Sequence, residues 1–319
     1  MTYLDEVAQA SFQTPVVFFI FNRPDKTAEV LDAIRSVAPP LLFVVADGPR
    51  PGVAADAESC KATRAVINTV DWPCNIRRLF SDVNMGLKAR IETGTDWVFQ
   101  SVDRAIFLED DTVVHPDYFY FSQRMLEKYK NDSRVSGIQA FCGAPADVFD
   151  EAYCFSVFHH PWGRAFWRRS WEANDRDMSN LNWVLEKQIL KSVFPIDGAR
   201  KYWEKGLVDA KKGLHKSWSF PFNLSCWLQG GLSIVPCRNL VRNAGVGLEA
   251  TNTRVNDGQA TVAVSALPKD LADPEILIAN WRYEQEIARR YHHLPSLLKR
   301  IEWKARITVS ELNRAIVKA

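Results

Sequence analysis

The sequence predicts an α/β protein built on a Rossmann-like, mostly parallel sheet flanked by helices. Three observations predict it. Short apolar runs rich in β-branched and aromatic residues recur through the first 110 residues, stretches of helical length separate them, and a polar cluster follows the end of each run. Continuous apolar strands mark a sheet covered on both faces, and their alternation with helices marks parallel pairing.

The first run, residues 15–21, reads PVVFFIF and precedes a helix from Asp25 to Val37. The second, LLFVVAD, ends in the turn Gly48-Pro49-Arg50-Pro51, and an Ala-rich helix covers Ala54 to Thr69. IRRLFSD is a third strand with a helix from Gly86 to Ser101 behind it, and AIFLEDD is a fourth. Beyond it the pattern loosens. A helix is expected from Pro116 to Lys130, then the strand VSGIQAF and an aromatic segment from Pro161 to Trp171. Helices are expected over 182–192, 200–212 and 220–229, and a strand from Leu232 to Val235. The pattern divides the chain into a regular half at about 14–121, a looser half at 122–255, and a linker with a basic amphipathic tail over 256–319.

Composition narrows the function classes. The chain has 319 residues, 47% hydrophobic and 24% charged, which excludes a disordered tail and a disulfide-stapled mini-protein. A net charge of +2 argues against a dedicated nucleic-acid protein. The six cysteines are scattered without C-x-x-C spacing, as expected of reduced thiols in a cytoplasmic protein. The longest apolar runs are far below the roughly 18 residues of a spanning helix. The first of them runs straight into Asn22-Arg23-Pro24, unlike a secretory core. From Trp281 to Ala319 there are nine Lys/Arg and four Asp/Glu, a net of +5. That tail is either a helix packed on the domain or a contact with an anionic membrane surface.

The chemistry concentrates at strand ends, where open α/β sheets bind ligands. Glu109-Asp110-Asp111 places three carboxylates after a buried strand, and like charges so close repel one another unless a cation or hydrogen-bond donors answer them. A hard divalent ion, Mn2+ or Mg2+, completed by substrate phosphates, suits them. An extended chain would turn Glu109 and Asp111 one way and Asp110 the other. One strand earlier, Asn84-Met85-Gly86-Leu87-Lys88-Ala89-Arg90 offers a glycine for close backbone approach, a helix start, and cations for phosphates. Asn22 and Arg23 after the first strand and Asp47 after the second complete a crescent that reads as a nucleotide-diphosphate site.

The order strand-Asn-Arg-Pro, strand-Asp-Gly, Ser-Asp-x-Asn-x-Gly-Leu and Glu-Asp-Asp resembles nucleotide-sugar glycosyltransferases of the GT-A fold. More narrowly, it is similar to the N-acetylglucosaminyltransferase I branch and its bacterial surface-polysaccharide relatives, over residues 14–255. The resemblance implies a metal-dependent, inverting transfer from a UDP-sugar to a glycan or lipid-linked glycan. It puts Arg23 on the donor diphosphate, Asp47 on the uracil imide, and Asp111 on the metal. Glu109, Trp162, Gly163, Trp218 and Ser219 would line the donor sugar and acceptor. The family's Ser-Trp-Asp base segment reads Ser217-Trp218-Ser219 here, so the base candidates become Glu249, Asp209 and His215. The family's late His is Asn252, a weaker metal ligand. A sugar-phosphate nucleotidyltransferase is the second class, disfavoured because Phe21-Asn22-Arg23-Pro24 has no glycine. A binding protein that has lost its base is the third.

Overall fold

A computed structural model describes residues 11–245, 258–270 and 272–292. The first half alternates as expected: β1 (Val16–Ile20), α1 (Pro24–Arg35), β2 (Leu41–Ala46), α2 (Ala54–Val66), β3 (Asn75–Phe80), α3 (Leu87–Phe99) and β4 (Arg104–Glu109). β5 (Thr112–Val114), α4 (Pro116–Lys128), β6 (Val135–Gln139), β7 (Tyr153–Ser156) and β8 (Arg164–Trp167) follow. A helical region comprises α5 (Arg168–Glu172), α6 (Leu181–Glu186), α7 (Leu190–Val193), α8 (Asp197–Lys211) and α9 (Ser219–Leu228). The described chain closes with β9 (Leu232–Pro236), β10 (Val241–Asn243) and α10 (Trp281–Arg290).

One eight-stranded sheet, ordered β3-β2-β1-β4-β8-β6-β9-β7, runs through both halves. β3, β2, β1 and β4 pair in parallel, with helical crossovers that parallel neighbours require. β8 enters antiparallel between β4 and β6, and β7 closes the far edge antiparallel to β9. A separate two-stranded ribbon pairs β10 with β5.

Alternation along the strands sorts the core. In β1, Val16, Phe18 and Ile20 pack on one face of the sheet, while Val17 and Phe19 pack on the other. The second face is sealed by α3 and α9, with Phe107 and Phe166 stacked at 4.2 Å across β4 and β8. Gly94 lets α3 settle on β1 and β2, since a Cβ there would sit 2.7 Å from Phe19 and Val45 side-chain atoms.

Three features refine the sequence reading. The aromatic segment 161–171 contains a buried central strand, because Ala165 and Trp167 face one core and Phe166 the other. The helix expected over 182–192 is two short ones, broken where Gln188 takes φ 55°. β3 is the sheet's edge with most side chains toward solvent, which explains the arginines within IRRLF. The tail helix begins at Trp281 as an amphipathic element; Tyr283, Glu284, Ile287 and Ala288 form its buried stripe. Residues 293–319 lie outside the described residues. All six cysteines are free thiols.

Candidate nucleotide and active site

The carboxyl ends of β1, β2, β3 and β4 bring Asn22, Arg23, Asp47, the 81–86 loop and the acidic triplet to one edge. Their pairing differs from the extended-chain expectation. β4 stops at Glu109, and Asp110 and Asp111 form a turn into β5. In a turn the strand's two-residue alternation no longer applies, and Asp110 and Asp111 come to share Arg23 while Glu109 stays on the strand.

Asp110 turns inward, its side chain 4% exposed, and accepts the Phe21 amide at 3.2 Å. The Arg23 guanidinium forks onto it through Nε at 3.4 Å and through NH2. Its remaining nitrogen, NH1, donates to Asp111 Oδ2 at 3.1 Å. Burial works against the Arg23 charge, but Asp110 and Asp111 outweigh it and hold the guanidinium protonated. Burial pushes the Asp110 carboxyl up, and the Arg23 charge pulls it back. Asp111 is more open than Asp110, with its side chain 18% exposed. The backbone of β10's exit closes on it: Ala244 N donates to Asp111 O at 2.7 Å. A Cβ on Gly245 would lie 2.2 Å from Asp111 Oδ2 and 2.9 Å from Arg23 NH1, so a side chain there would displace the pair.

Glu109 faces a different neighbourhood. It lines a cavity of about 10 Å³ with Pro161, Arg164 and Trp218, roughly the space of one water. Burial raises its carboxyl, the charges of Asp111 and Asp110 raise it further, and the Trp218 side chain counters by hydrogen bonding to it. Arg164 is 1% exposed and, among the described residues, has no carboxylate partner. It donates to Asn223 Oδ1 at 3.2 Å and lies 4.4 Å from the Phe222 ring centroid. Burial lowers its pKa to about 10.

Several expected ligand contacts are taken by the protein itself. Asp47 is buried, and its oxygens accept Gly48 N, Met85 N, Asn84 Nδ2 and Gly86 N at 2.9–3.0 Å. These four donors use the lone-pair sites that a base N–H would need. Gly86, at φ 80°, lets the loop fold back onto Asp47. Asn22 donates to Asp56, a buried acid also gripped by Arg50 and held down at about 2 chiefly by that contact. Arg90 is buried, with NH2 on Leu79 O and NH1 against Met85 Sδ, away from any phosphate position at the open edge. Lys88 reaches Arg176 O at 3.4 Å.

In the second half, Gly163 at φ 62° brings the chain within reach of Ala140 and Val114, where a Cβ would meet Ala140 Cβ at 2.8 Å. Trp162 is 8% exposed and packs edge-on against His160 and Phe141, so it is core rather than an open stacking face. Ser219 is buried and its hydroxyl lies 2.8 Å from that of Ser217. Asp209 pairs with Lys205, with His215 at 4.0 Å and His215 stacked on Phe220. Neither contact runs to the triplet. Glu249 and Asn252 lie outside the described residues.

Asp56 escaped the sequence reading. Arg164 and Gly245 were marked only as members of longer segments, the aromatic stretch from Pro161 and the loop over residues 239–247 that the resemblance places above the phosphates. Among the described residues no three His, Cys, Asp or Glu side chains converge as a metal cage. Asp111, partly exposed and at the edge, still fits an ion that takes its other ligands from phosphates and water.

The class these features define is an α/β fold with a large central sheet flanked by helices and a polar carboxyl edge. No family model matches the chain, and no curated protein matches it. Solved structures do. A mannosyltransferase from Pyrobaculum calidifontis, in complex with GDP-Man and Mn2+, is 13% identical over 71% of this chain and 74% of its own, with a TM-score of 0.38. The inositol-1-phosphate CTP transferase from T. maritima is 7% identical over 80% and 99%, with a TM-score of 0.37. A UDP-glucose pyrophosphorylase complexed with UDP-glucose is 9% identical over 50% and 78%, with a TM-score of 0.29. Likeness at this level assigns no activity to this chain.

Proposed function

We propose that this chain is a metal-dependent glycosyltransferase that moves a sugar from a nucleoside-diphosphate donor, uridine first, to a glycan or lipid-linked glycan. The observation that carries the reading is the pairing of Arg23 with Asp111 at the carboxyl edge of a parallel sheet. A cation for a diphosphate and a carboxylate for a divalent ion there occupy adjacent positions.

Asp111 would hold Mn2+ or Mg2+, which when bound neutralises charge building on the leaving diphosphate. Arg23 would bind a diphosphate oxygen. Glu109 and Trp218 line one small cavity beside the edge, where the donor sugar is expected. The division into a nucleotide half at 14–121 and an acceptor half at 122–255 is kept as part of this reading, as is action at the cytoplasmic face in surface-polysaccharide synthesis. Contact of the basic tail with a membrane belongs to it too. Among the described residues no helix is long and apolar enough to cross one.

The Ser217–Ser219 hydroxyl pair favours a second reading at one point. An inverting transfer needs a base at the acceptor, and a serine hydroxyl is not one at neutral pH. Either Glu249 supplies it, the leaving phosphate does so in a retaining course, or the chain binds donor without turning it over.

The test is calorimetric titration of UDP, GDP and CMP, with and without Mn2+, on wild type and Asp111→Ala. Metal-dependent binding that the substitution weakens tenfold or more, about 1.4 kcal/mol, is expected. Absence of binding by all three nucleotides to wild type would refute the reading.

A further inference from the structure

We propose that Arg23 is a built-in placeholder for the divalent ion: its NH1 occupies Asp111 until a diphosphate draws it off, so that metal and nucleotide bind as a coupled pair. The proposal rests on the reading of this edge as a nucleotide-diphosphate site.

The argument is the division of labour within one guanidinium. Nε and NH2 form a fork on Asp110, which is buried and fixed from the other side by the Phe21 amide. Such two-point contacts are the strong form of an arginine–carboxylate pair. NH1 makes a single contact with Asp111, the more open carboxylate. The Arg23 side chain is 32% exposed, so it is not sealed in by its partners. The fork is therefore the anchor and NH1 the exchangeable arm. A small rotation about the Asp110 contact can trade Asp111 for a phosphate oxygen without giving up the buried pair. Gly245 borders both Asp111 Oδ2 and Arg23 NH1, leaving no side chain at 245 to obstruct that exchange.

Two consequences follow from charge alone. With NH1 in place, Asp111 already has a cation, and an added divalent ion must displace it or share the carboxylate with a like charge. Once a diphosphate accepts NH1, Asp111 is released to the metal, whose remaining ligands the same phosphates can supply. Nucleotide then strengthens metal binding, and by linkage metal strengthens nucleotide binding by the same factor. Asp110 acts here as a positioning residue, since it aims Arg23 and is too enclosed to be a ligand itself.

The experiment is a Mn2+ titration of the full chain, read by loss of the free-ion paramagnetic resonance signal, without nucleotide and then with UDP or GDP. Wild type is compared with Arg23→Met and Arg23→Lys, each checked for an unchanged melting temperature and circular dichroism. Lysine retains the charge but cannot fork one carboxylate and reach the next. Both variants are expected to bind Mn2+ alone at least fivefold more tightly than wild type, with a matching drop in the nucleotide-induced enhancement. Unchanged Mn2+ affinity in both would overturn the placeholder. Tightening in Arg23→Met with Arg23→Lys equal to wild type would also overturn it, leaving only a general charge effect. Tightening in both variants when wild type binds no nucleotide would sustain the placeholder and sink the nucleotide reading instead.

Discussion

Asp47 illustrates how a residue's place is easier to read than its task. An acid directly after the second strand belongs at a ligand edge, and it is there. Its four acceptor sites, however, bind the loop from Asn84 to Gly86 and the Gly48 amide. Asp47→Asn replaces one oxygen by an NH2 that faces N–H donors. We expect a loss of about 2–3 kcal/mol, because hydrogen bonds to a buried charge are lost and donors are left unpaired. Thermal denaturation measures that loss. UDP and GDP binding should then fall together, whereas a carboxylate reading uracil would lose UDP alone. Arg90 and Trp162 follow the same pattern: correct neighbourhood, but a structural partner already in place. Such partnerships depend on residues tens of positions away, which spacing along one strand does not encode.

Elements were more legible. The first four strands and three helices follow from apolar runs and intervening amphipathic stretches, since both signals are local. β8 was not, because a strand buried on both faces has no alternation and RAFW is short enough to pass for a loop or helix start. Its antiparallel entry between β4 and β6 is a property of the sheet. Packing of α3 on β1 and β2 gives a test at this scale. Alanine in place of a helical glycine ordinarily adds stability of up to about 1 kcal/mol. At Gly94 the added methyl would meet Phe19 and Val45 at 2.7 Å. Gly94→Ala should therefore cost about 1–3 kcal/mol as overpacking, measured by urea denaturation. A stabilised variant would show that the helix can ride outward freely.

For the whole molecule, α10 ties the far edge of the sheet to the end of the described chain. Asn280 N donates to Phe155 O, and Glu284 accepts the Val157 amide at 2.9 Å. Burial raises the Glu284 carboxyl from 4.5 to about 7, with Ser156 and the Val157 amide pulling the other way. A carboxyl raised on folding favours the fold while protonated. Its contribution is complete below about pH 4.5 and disappears as pH rises through 7. Glu284→Gln should remove this dependence and be more stable than wild type at pH 8, by up to about 3 kcal/mol. His159 and His160 act in another window. Burial lowers them to about 3 and about 4, so they destabilise the fold as pH falls below 6.5. The difference between the melting curves of the two proteins from pH 5 to 8, in which the histidines cancel, isolates the glutamate, and parallel curves would refute its role.

By itself the amino-acid order determined the α/β class, the parallel first half and the edge on which polar residues gather. Those follow from periodicity and from the rule that polar residues after buried strands reach a common rim. Only the tertiary structure decided which of them remain open to a ligand. Asp47, Asn22 and Arg90 are held by protein partners, Asp110 anchors Arg23, and Asp111 stays partly accessible. The reason is competition for hydrogen bonds: a buried polar atom must find a partner, and only the folded chain determines which partner lies nearest.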